Sequence, residues 1–140
     1  MHQIEITYKN NLRTKCKYIQ TGNIITTDAP VDNHGKGETF SPTDLIASAL
    51  GSCILTIMGI AAERCGIDIK GTSAEVIKFM EKDPRRISKI IIHIYFPIAL
   101  SNKHLTILER SAHSCPVHHS LNADIEKVII FHHPSSSDKT

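Results

Sequence analysis

Three features of the sequence predict an α+β fold. Strand-like alternation occurs in separate blocks, one long apolar stretch has helix length, and amphipathic helical spacing returns before a last β-branched segment. Strands and helices come in runs rather than in strict β-α alternation, which favours α+β over a parallel α/β sheet.

Residues 2–9 alternate with Ile4, Ile6 and Tyr8 on one face and read as a strand. Asn10-Asn11 turns the chain into 12–20, which alternates through Leu12, Cys16 and Tyr18 as a hairpin partner. Gly22-Asn23 turns it again into a short third strand, IITT. Residues 28–41 are polar and loop-like, with Pro30, Gly35 and Gly37, a plausible wall for a site. Ser41-Pro42-Thr43-Asp44 is a helix start: a hydroxyl cap, proline in the first turn, and an acid at the positive end of the dipole. The helix runs to Arg64 or Cys65, with Gly66 closing it, and is apolar nearly all round, so protein should surround it. Residues 72–82 and 87–97 form a hairpin across Asp83-Pro84-Arg85-Arg86. Residues 102–113 form an amphipathic helix capped by Asn102, and Cys115-Pro116 restarts a shorter one to about Leu121. Residues 124–133 make the last strand. One domain over 1–134 and a flexible tail over 135–140 are therefore expected.

Composition narrows the function classes. The 140 residues are 41% hydrophobic and 21% charged, which suits a globular core and not a disordered chain. The net charge of +2 is scattered, and there is no Trp, which speaks against a nucleic-acid partner. The apolar run 45–62 is long enough to span a bilayer, but Ser48, Gly51, Ser52, Thr56 and Gly59 interrupt it and Asp44 and Glu63 bracket it. A buried helix is the expectation, with no membrane partner. The N-terminal residues do not resemble an export signal, so a cytoplasmic location is expected, where structural disulfides are uncommon.

The four cysteines form no CxxC pair. Cys53 lies within the buried helix, where a lone cysteine is ordinarily a small core residue. Cys115 precedes Pro116 at a helix start, where amides and dipole favour a thiolate, although it could equally be a simple cap. His113, His118 and His119 crowd around it, and His132 and His133 could join them. Their spacing matches no standard zinc site, so solvent-facing histidines are expected and no metal. Asp32, His34 and Glu38 read as loop polarity.

FSPTDLIASALGSC (40–53) and SCPVHHSL (114–121), in this order, resemble the OsmC/Ohr family, and the order of strands and helices matches as well. The resemblance implies antiparallel sheets around a long buried central helix and an intertwined homodimer with sites at the subunit interface. It implies thiol-dependent reduction of organic hydroperoxides in oxidative-stress defence, without a cofactor, using an external thiol reductant. By position Cys53 matches the peroxidatic cysteine, Cys115 the resolving one, and Arg13 the arginine that holds thiolate and peroxide. Phe40, Thr43, Asp44 and Leu50 fall at substrate-binding positions, and an apolar lining would prefer hydrophobic peroxides. The family's glutamate after the pre-helix proline is replaced by Thr43, with Asp44 one residue later. That departure keeps open an alternative, a small-molecule binding protein of the same fold with weak or no peroxidase activity.

Overall fold

The computed structural model describes residues 1–134; the expected tail, 135–140, lies outside them. The chain divides into two compact units, Met1–Ile46 and Ala47–Thr140.

The first unit is an antiparallel sheet in sequence order: β1 (Ile4–Tyr8), β2 (Arg13–Tyr18) and β3 (Ile24–Asp28). Asn10 and Asn11 take left-handed φ values of 76° and 53° in the first turn, a conformation asparagine tolerates better than most residues. Register puts Ile4 opposite Tyr18, Ile6 opposite Cys16, and Cys16 opposite Ile25, so the predicted apolar face exists. In the single chain it is bare: Ile6 is 63% exposed and Ile25 52%. The loop that follows contains a short 3₁₀ turn, Val31–Asn33, and folds back so closely that a Cβ on Gly35 would meet the Ala29 carbonyl oxygen at 1.8 Å. Only glycine fits there.

Helix α1 (Pro42–Cys65) starts as predicted. The Ser41 hydroxyl accepts the Asp44 N–H (3.1 Å) while the Asp44 carboxylate accepts the Ser41 N–H (2.9 Å), a reciprocal box with aspartate in the place usually taken by glutamate. Gly66, at φ 69°, ends the helix, and Ile67 N–H reaches back to the Ala62 carbonyl.

In the second unit, β4 (Ser73–Glu81) and β5 (Arg86–Tyr95) form the expected hairpin. They are followed by α2 (Asn102–Ala112), α3 (Pro116–Ser120) and β6 (Glu126–His132). The sheet order is β4-β5-β6, and β6 runs parallel to β5. Antiparallel sheets were expected, and the second one is instead mixed. Two helices intervene between β5 and β6, a connection long enough to carry the chain back and pair it in parallel. The α2 cap is Ser101, whose hydroxyl accepts the His104 N–H, and not Asn102. A register shift between Phe79 and Met80 leaves Ser88 as an extra residue in β5, so Ile87 faces inward together with Ile90, Ile92 and Ile94. The last three are fully buried with Leu50, Ile54, Met58 and Leu108, each burial worth about 1.5–3 kcal/mol.

The buried stripe of α1 is Ala47, Leu50, Gly51, Ile54, Met58 and Ala62, and Cys53, Leu55, Ile57 and Ala61 pack against the core from its flanks, partly covered. A Cβ on Gly51 would stand 3.0 Å from Val76 Cγ2, so α1 lies against β4 with no spare clearance. By length and composition α1 could cross a membrane, its 18-residue window averaging a hydropathy of 2.1. Its buried stripe is the packing surface of a core helix.

Candidate functional site

Cys53 sits half-buried on α1, two residues beyond Gly51, and Cys115 is fully buried. Cys115 is the N-cap of α3: its backbone is extended (φ −73°, ψ 137°), Pro116 presets the first turn, and Sγ accepts the His118 N–H at 3.2 Å. The two thiols are near neighbours whose side chains interact. Burial pushes the Cys115 thiol above its ordinary value of 9.0, against the lowering effect of the His118 N–H, and Cys53 raises it further. Desolvation outweighs the helix start, so the thiolate expected at this cap is disfavoured. Both cysteines are free.

Arg13 opens β2 directly after Leu12, which holds a left-handed φ of 60° and whose carbonyl accepts the Ala29 N–H. Register sets Arg13 opposite Asp28. The guanidinium donates to both carboxylate oxygens, Nε to Oδ1 at 2.7 Å and Nη2 to Oδ2 at 2.8 Å. Nη2 also donates to Glu38 Oε1 at 3.1 Å, and the Glu38 N–H donates to Asp28 Oδ2. The Asp28 side chain is wholly buried while that of Arg13 is 35% exposed. The guanidinium's hydrogen bonds hold the Asp28 carboxyl below its usual range, and the same bonds raise Arg13. Asp28 was not anticipated as a site residue. Its signal was the pairing of β2 with β3, which the Gly22-Asn23 turn implies. Glu38, read as loop polarity, belongs to the same cluster.

The remaining predicted residues are placed as follows. Asp44 caps α1, and Thr43 Oγ1 lies 3.2 Å from the Ser41 hydroxyl. Phe40 is 52% exposed, and its carbonyl accepts the Asp28 N–H. Leu50 is fully buried in the core of the second unit and has no surface to offer a ligand in the single chain. The structure thus brings Cys53 to Cys115, and Arg13 to Asp28 and Glu38.

The histidine segment forms edge contacts, His113 to His118 at 6.5 Å and His118 to His119 at 5.4 Å between ring centres. His118 Nδ1 is buried without a hydrogen-bond partner, and burial, then Lys127 and the two neighbouring histidines, lowers its pKa. Among the described residues no three His, Cys, Asp or Glu side chains converge to hold a metal.

The sequence profile of OsmC-like proteins matches residues 35–128. A Psychrobacter arcticus 273-4 protein named for an osmotic stress induced and detoxification response is 50% identical over 94% of this chain and 96% of its own, with a TM-score of 0.91. An organic hydroperoxide resistance protein of Legionella pneumophila shares the fold at 12% identity, covering 91% and 93% of the two chains, with a TM-score of 0.73. An OsmC-like protein of Mycoplasma pneumoniae does so at 17% identity, 96% and 98% coverage and a TM-score of 0.74. No curated protein sequence matches the chain. The profile spans well over half of the residues and the Psychrobacter relative nearly all of them: the chain belongs to the OsmC-like protein family.

Proposed function

We propose that this protein is a thiol-dependent peroxidase for organic hydroperoxides, with residues 1–134 working as one OsmC-like domain. The observation that carries the reading is that Cys53 and the buried Cys115 are near, interacting neighbours. The Cys53 thiolate attacks the distal peroxide oxygen; the O–O bond breaks, Cys53 becomes a sulfenic acid, and the alkoxide takes up a proton to leave as an alcohol. The Cys115 thiol then condenses with the sulfenic acid, releasing water and forming a Cys53–Cys115 disulfide. Two equivalents of an external thiol return the pair to the reduced state. Arg13 takes the role of thiolate-stabilising cation by resemblance of its sequence position, and Asp28 and Glu38 orient it. The detoxification response in the name of the Psychrobacter relative fits such a role.

Limiting cumene hydroperoxide followed by mass spectrometry of the trapped protein is the direct test. A Cys53–Cys115 disulfide in proportion to peroxide supports the reading, and unchanged thiols defeat it. A small-molecule binding protein with weak or no peroxidase activity is the second reading. Thr43 at the family's glutamate position and a Cys115 thiol kept protonated by burial both favour it.

The working form is a homodimer. The bare apolar face of β1–β3 and the exposed Ile46 and Ile60 of α1 are apolar surface that a second copy would cover. Stable interfaces of this kind bury upwards of about 2,000 Å². Sedimentation should give a dimer at micromolar concentration; a stable folded monomer there contradicts it.

A further inference from the structure

The outward side of the second sheet carries a group of rings that the thiol chemistry does not use. β5 and β6 pair in parallel with Tyr95 opposite His132 and His93 opposite Ile130. His93 and His132 therefore stand diagonally across the pair, and Nδ1 of His93 lies 2.9 Å from Nε2 of His132. Tyr95 stacks on His132, centroids 4.6 Å apart and planes 12° from parallel, and Glu75 of β4 lies close enough to raise its hydroxyl's pKa. The imidazoles are thus held by a backbone ladder and a stacked ring.

We propose that His93 and His132 form a two-nitrogen chelate for a divalent late first-row transition ion of square-planar or tetragonal preference. Two imidazole nitrogens each about 2.0–2.1 Å from one ion and at a right angle are about 2.9 Å apart, whereas a tetrahedral ion needs about 3.3 Å. The observed separation equals the right-angle one, so the spacing needs no change and each ring only turns its nitrogen from its neighbour toward the ion. At present the two nitrogens share a proton, one donating and the other accepting, and the ion displaces it. No third His, Cys, Asp or Glu completes the set among the described residues, so water fills the other positions and binding is reversible. Because the ligands are 39 positions apart, the ion ties the C-terminal strand to the middle of its sheet.

The test is calorimetric titration of the intact chain with Ni²⁺, alongside His132→Gln, His93→Gln and a His118→Gln/His119→Gln control, with circular dichroism to confirm folding. One Ni²⁺ per chain is expected, with a raised unfolding temperature. Affinity should fall at least about tenfold in either single variant and be unchanged in the control. Two single-site variants are used so that one remains informative should the other misfold. Wild type without a saturable site below about 1 mM Ni²⁺, a Kd near the weak end of specific binding, overturns the proposal. So does affinity retained in a folded His93→Gln or His132→Gln, or affinity lost in the control.

Discussion

Cys53→Ser should reduce hydroperoxide turnover to the uncatalysed background, while Cys115→Ser should complete one oxidation per chain and then stop. Only the attacking sulfur takes part in the first step, and only the second sulfur protects the sulfenic acid from further oxidation. The structure makes the comparison clean. Serine is a better helix cap than cysteine, so Cys115→Ser keeps the bond to the His118 N–H and with it the start of α3. A single-turnover burst with stoichiometric peroxide, trapped with a sulfenic-acid reagent, should show the label at Cys53. A normal steady state in Cys115→Ser would assign resolution elsewhere. The two steps also separate by pH: burial keeps Cys115 protonated beyond its ordinary range, so its alkylation should half-saturate above pH 9.0. Equal alkylation at neutral pH would contradict the buried environment.

The second large effect is expected at Asp28. Asp28→Asn keeps the shape but turns a carboxylate edge into an amide whose N–H groups face the Arg13 guanidinium, donor against donor. Arg13 would lose one of its two short bonds to this residue and the charge behind both, and the first-step rate constant should fall by about ten- to a hundredfold, a loss of ~1.4–2.7 kcal/mol in transition-state stabilisation. Glu38→Gln should change the rate little, because its carboxylate is 62% exposed and such bridges contribute at most about 1 kcal/mol. Arg13 already carries two carboxylates, so Thr43→Glu, which by the family pattern would offer it another, should gain little. Stability follows the same residue. Asp28 has a lowered pKa in the folded chain, so its contribution is fully present above the unfolded carboxyl range near 4 and is lost as pH falls through the folded value. Denaturant titrations from pH 6 to pH 2 should therefore converge for wild type and Asp28→Asn. A constant gap would show that the charge of Asp28 is not what holds Arg13.

Elements with local chemical signals were legible in the sequence. Ser41, Pro42 and Asp44 announced the start of α1, Gly66 its end, and alternation the two hairpins. The cysteine pairing came from resemblance, since 62 positions of separation say nothing about proximity. Asp28 was missed because its role depends on register between strands, which local patterning does not display. The parallel course of β6 was missed for a similar reason: alternation is the same in either direction, and only the length of the connection distinguishes them. For α1, periodicity reported an apolar circumference, but not that a single chain buries one stripe of it and leaves the flanks partly covered.

Gly51 gives the thiol pair an asymmetric stiffness. α1 is seated against Val76 at the limit of van der Waals approach, about two and a half turns from its start and nearly four from its end, and the sulfur of Cys53 is carried by this rigid rod. Cys115 rides on a five-residue helix of barely more than one turn. Bringing the two free sulfurs to covalent distance requires a displacement, and compliance decides which side supplies it. The short helix yields, the long one does not, so each closure and reopening of the bond would be recorded as movement of α3.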